Sequence, residues 1–199
     1  MSLAFMSPTG VDAVARSPME RLAEKAGARF EIRDGWNVAV EYPSGSEVAP
    51  VAWADVSHLR KFELQGEGVG RDFGTATRQG ERWLCPLTTT RALVIGGSEA
   101  PGDAIDVTTC FAALTILGPE AREVIARFCA LDLRPQNAPP HGFRPGSVAR
   151  QPGMVLVEAP GRFLLLFGWA VAEYVWTVVE DAARPRGGRP IGIEALNDA

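Results

Sequence analysis

Residues 106–133 read DVTTCFAALTILGPEAREVIARFCALDL. Phe111 to Leu117 is a short apolar run without a charge, as expected of a buried strand. It stops at Gly118-Pro119, and a proline ring is already set for the first helical position. Glu120 and Glu123 fall in the first turn, where the helix dipole favours negative charge. Val124, Ile125, Phe128 and Leu131 then recur at helical spacing, with Arg122, Glu123 and Arg127 turned away. A strand, a sharp turn and an amphipathic helix make a core unit, which speaks for fold and not for chemistry.

Upstream of this unit, Ser17-Pro18-Met19-Glu20 reads as a capping box that opens a helix through Met19, Leu22 and Ala26, closed by Gly27. Phe30 to Ile32 and Trp36 to Tyr42 alternate around Asp34-Gly35, which predicts a hairpin ended by Pro43-Ser44-Gly45-Ser46. Val56-Ser57-His58-Leu59 leads into Arg60–Leu64, apolar at alternate positions. Gly66, Gly68 and Gly70 lack the following helix and the Lys-Ser/Thr of a phosphate-binding loop, so a strand-to-strand loop is expected. Glu81–Leu84 and Arg91–Ile95 read as strands, and residues 96–103 as the turn before the central unit.

Downstream, Arg134–Gly146 reads as a Pro-rich connector. Val148–Arg150, Met154–Glu158 and Arg162–Phe167 read as strands, the last two joined at Pro160-Gly161. Ala170–Ala183 is an amphipathic helix with Val171, Tyr174, Val175, Val178 and Val179 on one face. Pro185–Pro190 resembles a linker, and a new pattern starts at Ile191. Strands and helices mix without regular alternation, so the expected class is α+β with largely antiparallel sheets and flanking helices. Residues 1–16 are expected to be an arm, and 17–199 one region with two subdomains meeting near 100–110.

The chain has 199 residues and a formal net charge of −4 with no strongly basic block, which argues against nucleic acid as the main partner. No apolar run approaches membrane-spanning length. Cys85, Cys110 and Cys129 form an odd set without paired spacing or a secretory signal, the usage of a reducing cytoplasm. Cys110 and Cys129 sit in apolar surroundings and read as buried, inert thiols. No His/Cys cluster has metal spacing.

Four segments in this order resemble the aminomethyltransferase family: DGWNVAVEYP (34–43), DVSHLRKFELQG (55–66), ALTILGPEAREVIARF (113–128) and PIGIEAL (190–196). The family contains the glycine cleavage T-protein and the gamma subunit of heterotetrameric sarcosine oxidase. The resemblance spans Ser17 to Leu196 and implies a shortened aminomethyltransferase-like fold. It also implies a vestigial tetrahydrofolate pocket near Trp36, Tyr42 and Leu59. Several ligand groups of the family have no counterpart here. Residues 66–106 contain no acidic segment like the one holding the family's catalytic Asp. APGRFLLL puts Leu164 where a pterin-binding Glu is expected, and GIEALNDA is reached before the helix's ligand Arg. The resemblance therefore implies a subunit without catalytic residues, closest to the gamma subunit. Its complex would demethylate sarcosine or a related N-methyl amine, with flavins in larger partner subunits. A stand-alone folate-binding enzyme of the same family is the alternative. Asp55 and His58, three apart on a strand-like segment, need not share a face and read as structural. Trp169 and Trp176, seven apart, are expected to share an exposed helix face that meets a partner.

Overall fold

The computed structural model describes residues 13–43 and 49–197. In chain order the elements are β1 (Ala15–Arg16), α1 (Glu20–Lys25), β2 (Arg29–Arg33), β3 (Trp36–Glu41), β4 (Ala52–Asp55), β5 (Lys61–Gln65), β6 (Thr77–Gln79), β7 (Arg82–Thr88), β8 (Arg91–Ile95) and β9 (Ile105–Asp106). Then follow β10 (Phe111–Leu117), α2 (Ala121–Ile125), β11 (Phe143–Val148), β12 (Gln151–Ala159), β13 (Arg162–Gly168), α3 (Ala172–Ala183), β14 (Arg189–Pro190) and α4 (Ile193–Asn197). They form a six-stranded sheet in the order β11-β12-β13-β10-β4-β14, a five-stranded sheet β6-β7-β8-β5-β9 and a three-stranded sheet β1-β3-β2. Among the described residues, only the β1–β3 and β4–β14 pairings are parallel. The fold is the α+β, largely antiparallel one that the sequence predicts.

The six-stranded sheet is covered on both faces, and strand alternation shows it. Leu114 and Ile116 of β10, Phe163, Leu165 and Phe167 of β13, and Trp53 of β4 point to one core, with Ala121, Val124 and Ile125 of α2 and Val175, Trp176 and Val179 of α3. The intervening Ala113, Leu164, Leu166 and Ala54 point the other way, onto Trp83, Cys85, Leu93 and Ile95 of the five-stranded sheet. Two-sided burial is why β10 and β13 read as unbroken apolar runs.

The strand–turn–helix unit forms as expected, with differences. Gly118 has φ +120°, and a Cβ there would lie 2.5 Å from the Pro50 carbonyl, so the turn requires glycine. The helix is only Ala121–Ile125, not the longer helix the spacing predicts. Beyond it, Phe128 O accepts from Ala149 N (3.0 Å), and Cys129 bridges Val148 of the β11–β12 hairpin. Phe128 and Leu131 thus reach the core from a turn.

Other expectations change for identifiable reasons. The capping box at Ser17 is not made: the Ser17 hydroxyl accepts from Met19 N (3.1 Å) and donates to Asp55, while Glu20 pairs with Arg16. Part of the Pro-rich connector is β11, an edge strand in which Pro145 is tolerated, and part of the linker-like run is β14, the opposite edge, with Pro190. Cys110 is exposed, because it closes a short 3-10 turn, Thr108–Cys110, before β10. Of the N-terminal arm, residues 1–12 lie outside the described residues, and Ala15–Arg16 pair with Trp36 and Asn37. The turn at residues 44–46 also lies outside them.

Candidate functional site: a cleft where the two larger sheets part

The site is built around the crossover from β4 to β5. Val56 N donates to Ala113 O (3.0 Å), which ties the end of β4 to β10, and Leu59 N donates to Val56 O (3.0 Å), which closes a turn. The Asp55 carboxylate accepts from Ser57 N (2.9 Å) and from the Ser17 hydroxyl. The ammonium of Lys61, fully buried, donates to the carbonyls of Ser57 and Leu59, each at 2.8 Å. His58 and Leu59 are left half-buried on the outside of the turn.

Burial dominates the electrostatics of this turn. It raises the Asp55 carboxyl, against the hydrogen bonds from Ser17 and Ser57 and the nearby Lys61 charge. It pulls Lys61 down to about 8, opposed by Asp55 and Asp106. It lowers His58 to about 4, helped by the Lys61 charge and opposed by Asp34. At neutral pH the imidazole is therefore uncharged.

Two hollows share Leu59, Glu81 and Gly96. One, of about 480 Å³, has an apolar wall of Leu59, Trp83, Ile95 and Leu164 and a rim of Arg78, Glu81, Glu158 and Arg162. The other, of about 570 Å³, is bounded by Arg33, Asp34, Trp36, His58 and Arg60. Such sizes suit a small molecule or a peptide segment. Three of the four rim charges, Arg78, Glu158 and Arg162, are engaged. Arg162 Nε meets Glu158 at 3.3 Å, and another Arg162 nitrogen donates to Leu196 O (3.1 Å). Arg78 lies over the Trp83 ring at 5.0 Å and donates to Gly80 O (3.0 Å). Among the described residues, no group of three His, Cys, Asp or Glu side chains could hold a metal ion.

The structure brings together two of the three residues expected near a folate pocket. Trp36 and Leu59 bound the same hollow. Tyr42 does not join them: it is buried in the helix-side core and borders a separate hollow of about 350 Å³ beside Trp53, Glu180 and Arg189. Burial raises its phenol, and Asp55 adds to the effect. Trp169 packs against Trp36, ring centroids 6.0 Å apart. Trp176 is 1% exposed and meets the edge of Trp53 at 6.0 Å in the core, so it forms no surface patch with Trp169. The expected shared face fails because Trp169 lies in a 3-10 stretch, Trp169–Val171, ahead of α3. The helix is also rotated from the predicted stripe: Tyr174 is 47% exposed, and Trp176 takes the inward position.

Lys61, Arg78, Glu81, Trp83, Glu158 and Arg162 escaped the sequence reading as site residues. Arg78 sits in a segment read as a strand-to-strand loop, and each of the others in one that reads simply as a strand or its edge. The one available signal was at Lys61, since only two of the twenty basic residues are lysines.

The architecture defines an aminomethyltransferase-like fold. A chain of heterotetrameric sarcosine oxidase from Corynebacterium sp. U-96, in complex with pyrrole 2-carboxylate, aligns with a TM-score of 0.68 and 16% identity, over 86% of this chain and 96% of that one. The glycine cleavage system aminomethyltransferase T of Bartonella henselae aligns with a TM-score of 0.71 and 17% identity, over 92% of this chain and 60% of that one. In sequence, an aminomethyltransferase of Picosynechococcus sp. is 40% identical over 60 residues, a match covering 27% of this chain and 16% of the relative. No family model matches. The similarity to the aminomethyltransferase superfamily thus holds in fold and in one stretch of sequence. No helix among the described residues is long and apolar enough to cross a membrane.

Proposed function

We propose that this chain is an accessory subunit, without an active site of its own, of a cytoplasmic sarcosine-oxidase-like complex. The complex oxidatively demethylates sarcosine or a related N-methyl amine and passes the one-carbon unit to tetrahydrofolate. Larger flavoprotein subunits carry the flavins, and the half-buried Trp36–Trp169 pair faces a partner. The observation that carries this reading is the wall of the cleft. Leu164 lies 1% exposed beside Leu59, Trp83 and Ile95, where a pterin would need hydrogen-bonding partners. Each pterin donor or acceptor buried without one costs roughly 1–3 kcal/mol. Two carboxylates near that wall are already engaged, Glu158 by Arg162 and Asp55 by Ser17 and Ser57. The 96% coverage of the sarcosine oxidase chain adds support.

Calorimetric titration of the purified chain with tetrahydrofolate tests the reading. The expected result is no binding heat up to millimolar ligand, together with co-purification of a flavin-containing partner from the native host. Micromolar binding that disappears in Trp36→Ala or Leu59→Ala would overturn it in favour of a stand-alone folate-binding enzyme.

A further inference from the structure

The chain has two lysines, Lys25 in α1 and Lys61 at the start of β5. Lys61 has no exposed surface. Its Nζ donates to Ser57 O and Leu59 O at 2.8 Å, its amide donates to Thr108 Oγ1 at 3.1 Å, and its carbonyl accepts from Val107 N at 2.9 Å. One residue therefore ties the β4–β5 turn to the segment that follows β9. Burying an ammonium is costly unless it is well partnered. Here its hydrogen-bonding partners are backbone carbonyls, while the carboxylates of Asp55, at the end of β4, and Asp106, on β9, act on it through space. A compact ammonium on a flexible stem can reach two carbonyls of one turn, and a planar guanidinium is poorly shaped for that. An apolar side chain would fill the same volume without the charge cost, so a residue kept only for packing would not need to be lysine.

We propose that Lys61 is the positioning residue of the cleft: its buried ammonium clamps the Ser57 and Leu59 carbonyls and so sets where His58 and Leu59 stand on the wall of the hollows. Leu59 borders both hollows and His58 the larger one. The charge also acts on His58 directly. Burial and the neighbouring ammonium both oppose protonation of the imidazole, and Asp34 alone favours it. Arg60, on the same turn, is exposed and acts on Asp106. This role is independent of the accessory-subunit reading, because it concerns the shape of the wall whatever meets it.

The test is NMR of the full chain, which has two histidine signals and two lysine side-chain signals to follow. In Lys61→Met, the His58 titration midpoint is expected to rise by about one pH unit. The Leu59 amide is expected to exchange at least about tenfold faster, a loss of at least roughly 1.4 kcal/mol of local protection. His141, exposed and packed on the Trp83 ring, supplies the second histidine signal as a reference. A folded Lys61→Met chain with the His58 titration and Leu59 exchange of the unmodified protein would overturn the proposal. If that variant does not fold, the unmodified chain decides. The Lys61 signal is expected to titrate near 8, well below the ordinary lysine value of 10.5, and in step with the Leu59 amide and the His58 ring. A Lys61 titration that leaves both unchanged would overturn the proposal.

Discussion

The two faces of the six-stranded sheet are made by the same strands, yet one is closed over its centre, with a hollow at its β4–β14 edge, and the other is open beside Leu164. On the helix side, Trp53, Phe163, Phe167 and Trp176 interlock, each at most 1% exposed. On the other side, Leu164 and Leu166 are as deeply buried, but the five-stranded sheet covers only part of the face. The layers part beside Leu164, where the β4–β5 turn and the charged end of the β12–β13 hairpin stand between them. Short helices can settle onto a twisted sheet one side chain at a time. A second sheet is stiffer, and it must be linked by a crossover that contains Asp55 and Lys61, which cannot be packed as apolar residues can. The cleft is thus a consequence of how the two sheets are joined.

The sharpest way to break this comparison is to remove a large ring from the closed face. Trp176→Ala is expected to cost about 3–5 kcal/mol, because the truncation leaves a cavity against Trp53 that surrounding strands cannot close. Tyr174→Ala, two residues away on the same helix, is expected to change stability by less than about 0.5 kcal/mol. Urea unfolding of both variants checks the pair of values. If Tyr174→Ala were the costlier, the orientation of α3 would be wrong.

The open face is expected to show itself through pH. Lys61 is held below its unfolded value of 10.5, at about 8, so the unfolded chain binds more protons between those limits. Relative to Lys61→Met, the protein should therefore gain stability as pH rises from about 8 to 10.5. Comparison with the variant is needed because burial raises the Cys85 thiol and the Tyr42 phenol, whose contributions fall over the alkaline range. His58 is depressed from 6.5 to about 4, so its contribution is complete above 6.5 and is lost as pH falls toward 4. Relative to His58→Gln, the protein should lose stability over that interval. Asp55, raised by burial, runs the opposite way and cancels in the same comparison. Each effect is expected to be of the order of 1–3 kcal/mol. Chemical unfolding at a series of pH values measures both, and a flat difference curve would remove the titrating turn from the account.

The closed face was the more legible in sequence. The apolar runs 111–117 and 162–167, the turn at Pro160-Gly161, and Asp34-Gly35, whose φ angles of +48° and +78° suit a tight hairpin, all read directly from local chemistry. Where local signals competed with distant partners, the reading drifted. Ser17 offers a cap but is drawn to Asp55, and Ala149-Arg150, with φ of +49° and +61°, turns a hairpin without the usual glycine. The cleft was hardest to see. Leu59 and Trp36 came through the family resemblance, but Lys61 lies on the strand face opposite Phe62, and only the crossover reveals that both faces are covered. Trp176 shows the limit of spacing arguments, since seven residues mean one face only if the helix is continuous between them.

A small effect is also expected at the rim of the cleft, and it separates packing from charge. Glu158 and Arg162 meet at 3.3 Å, and both side chains remain reachable by water. Side chains so placed gain little from pairing, because water already solvates each charge and holding two flexible groups together costs entropy. A double-mutant cycle of Glu158→Gln and Arg162→Met is expected to give a coupling below about 1 kcal/mol. The single variants should not be equal. Arg162 also donates to the carbonyl of Leu196, the buried residue by which α4 holds to the sheet-side core, so Arg162→Met should cost more than Glu158→Gln and should speed amide exchange in α4. Equal costs with no change in α4 would mean that the arginine serves the rim alone. A coupling well above 1 kcal/mol would mean that this edge of the cleft is as dry as the helix-covered face, and the contrast between the two faces would then lie in shape and not in solvation.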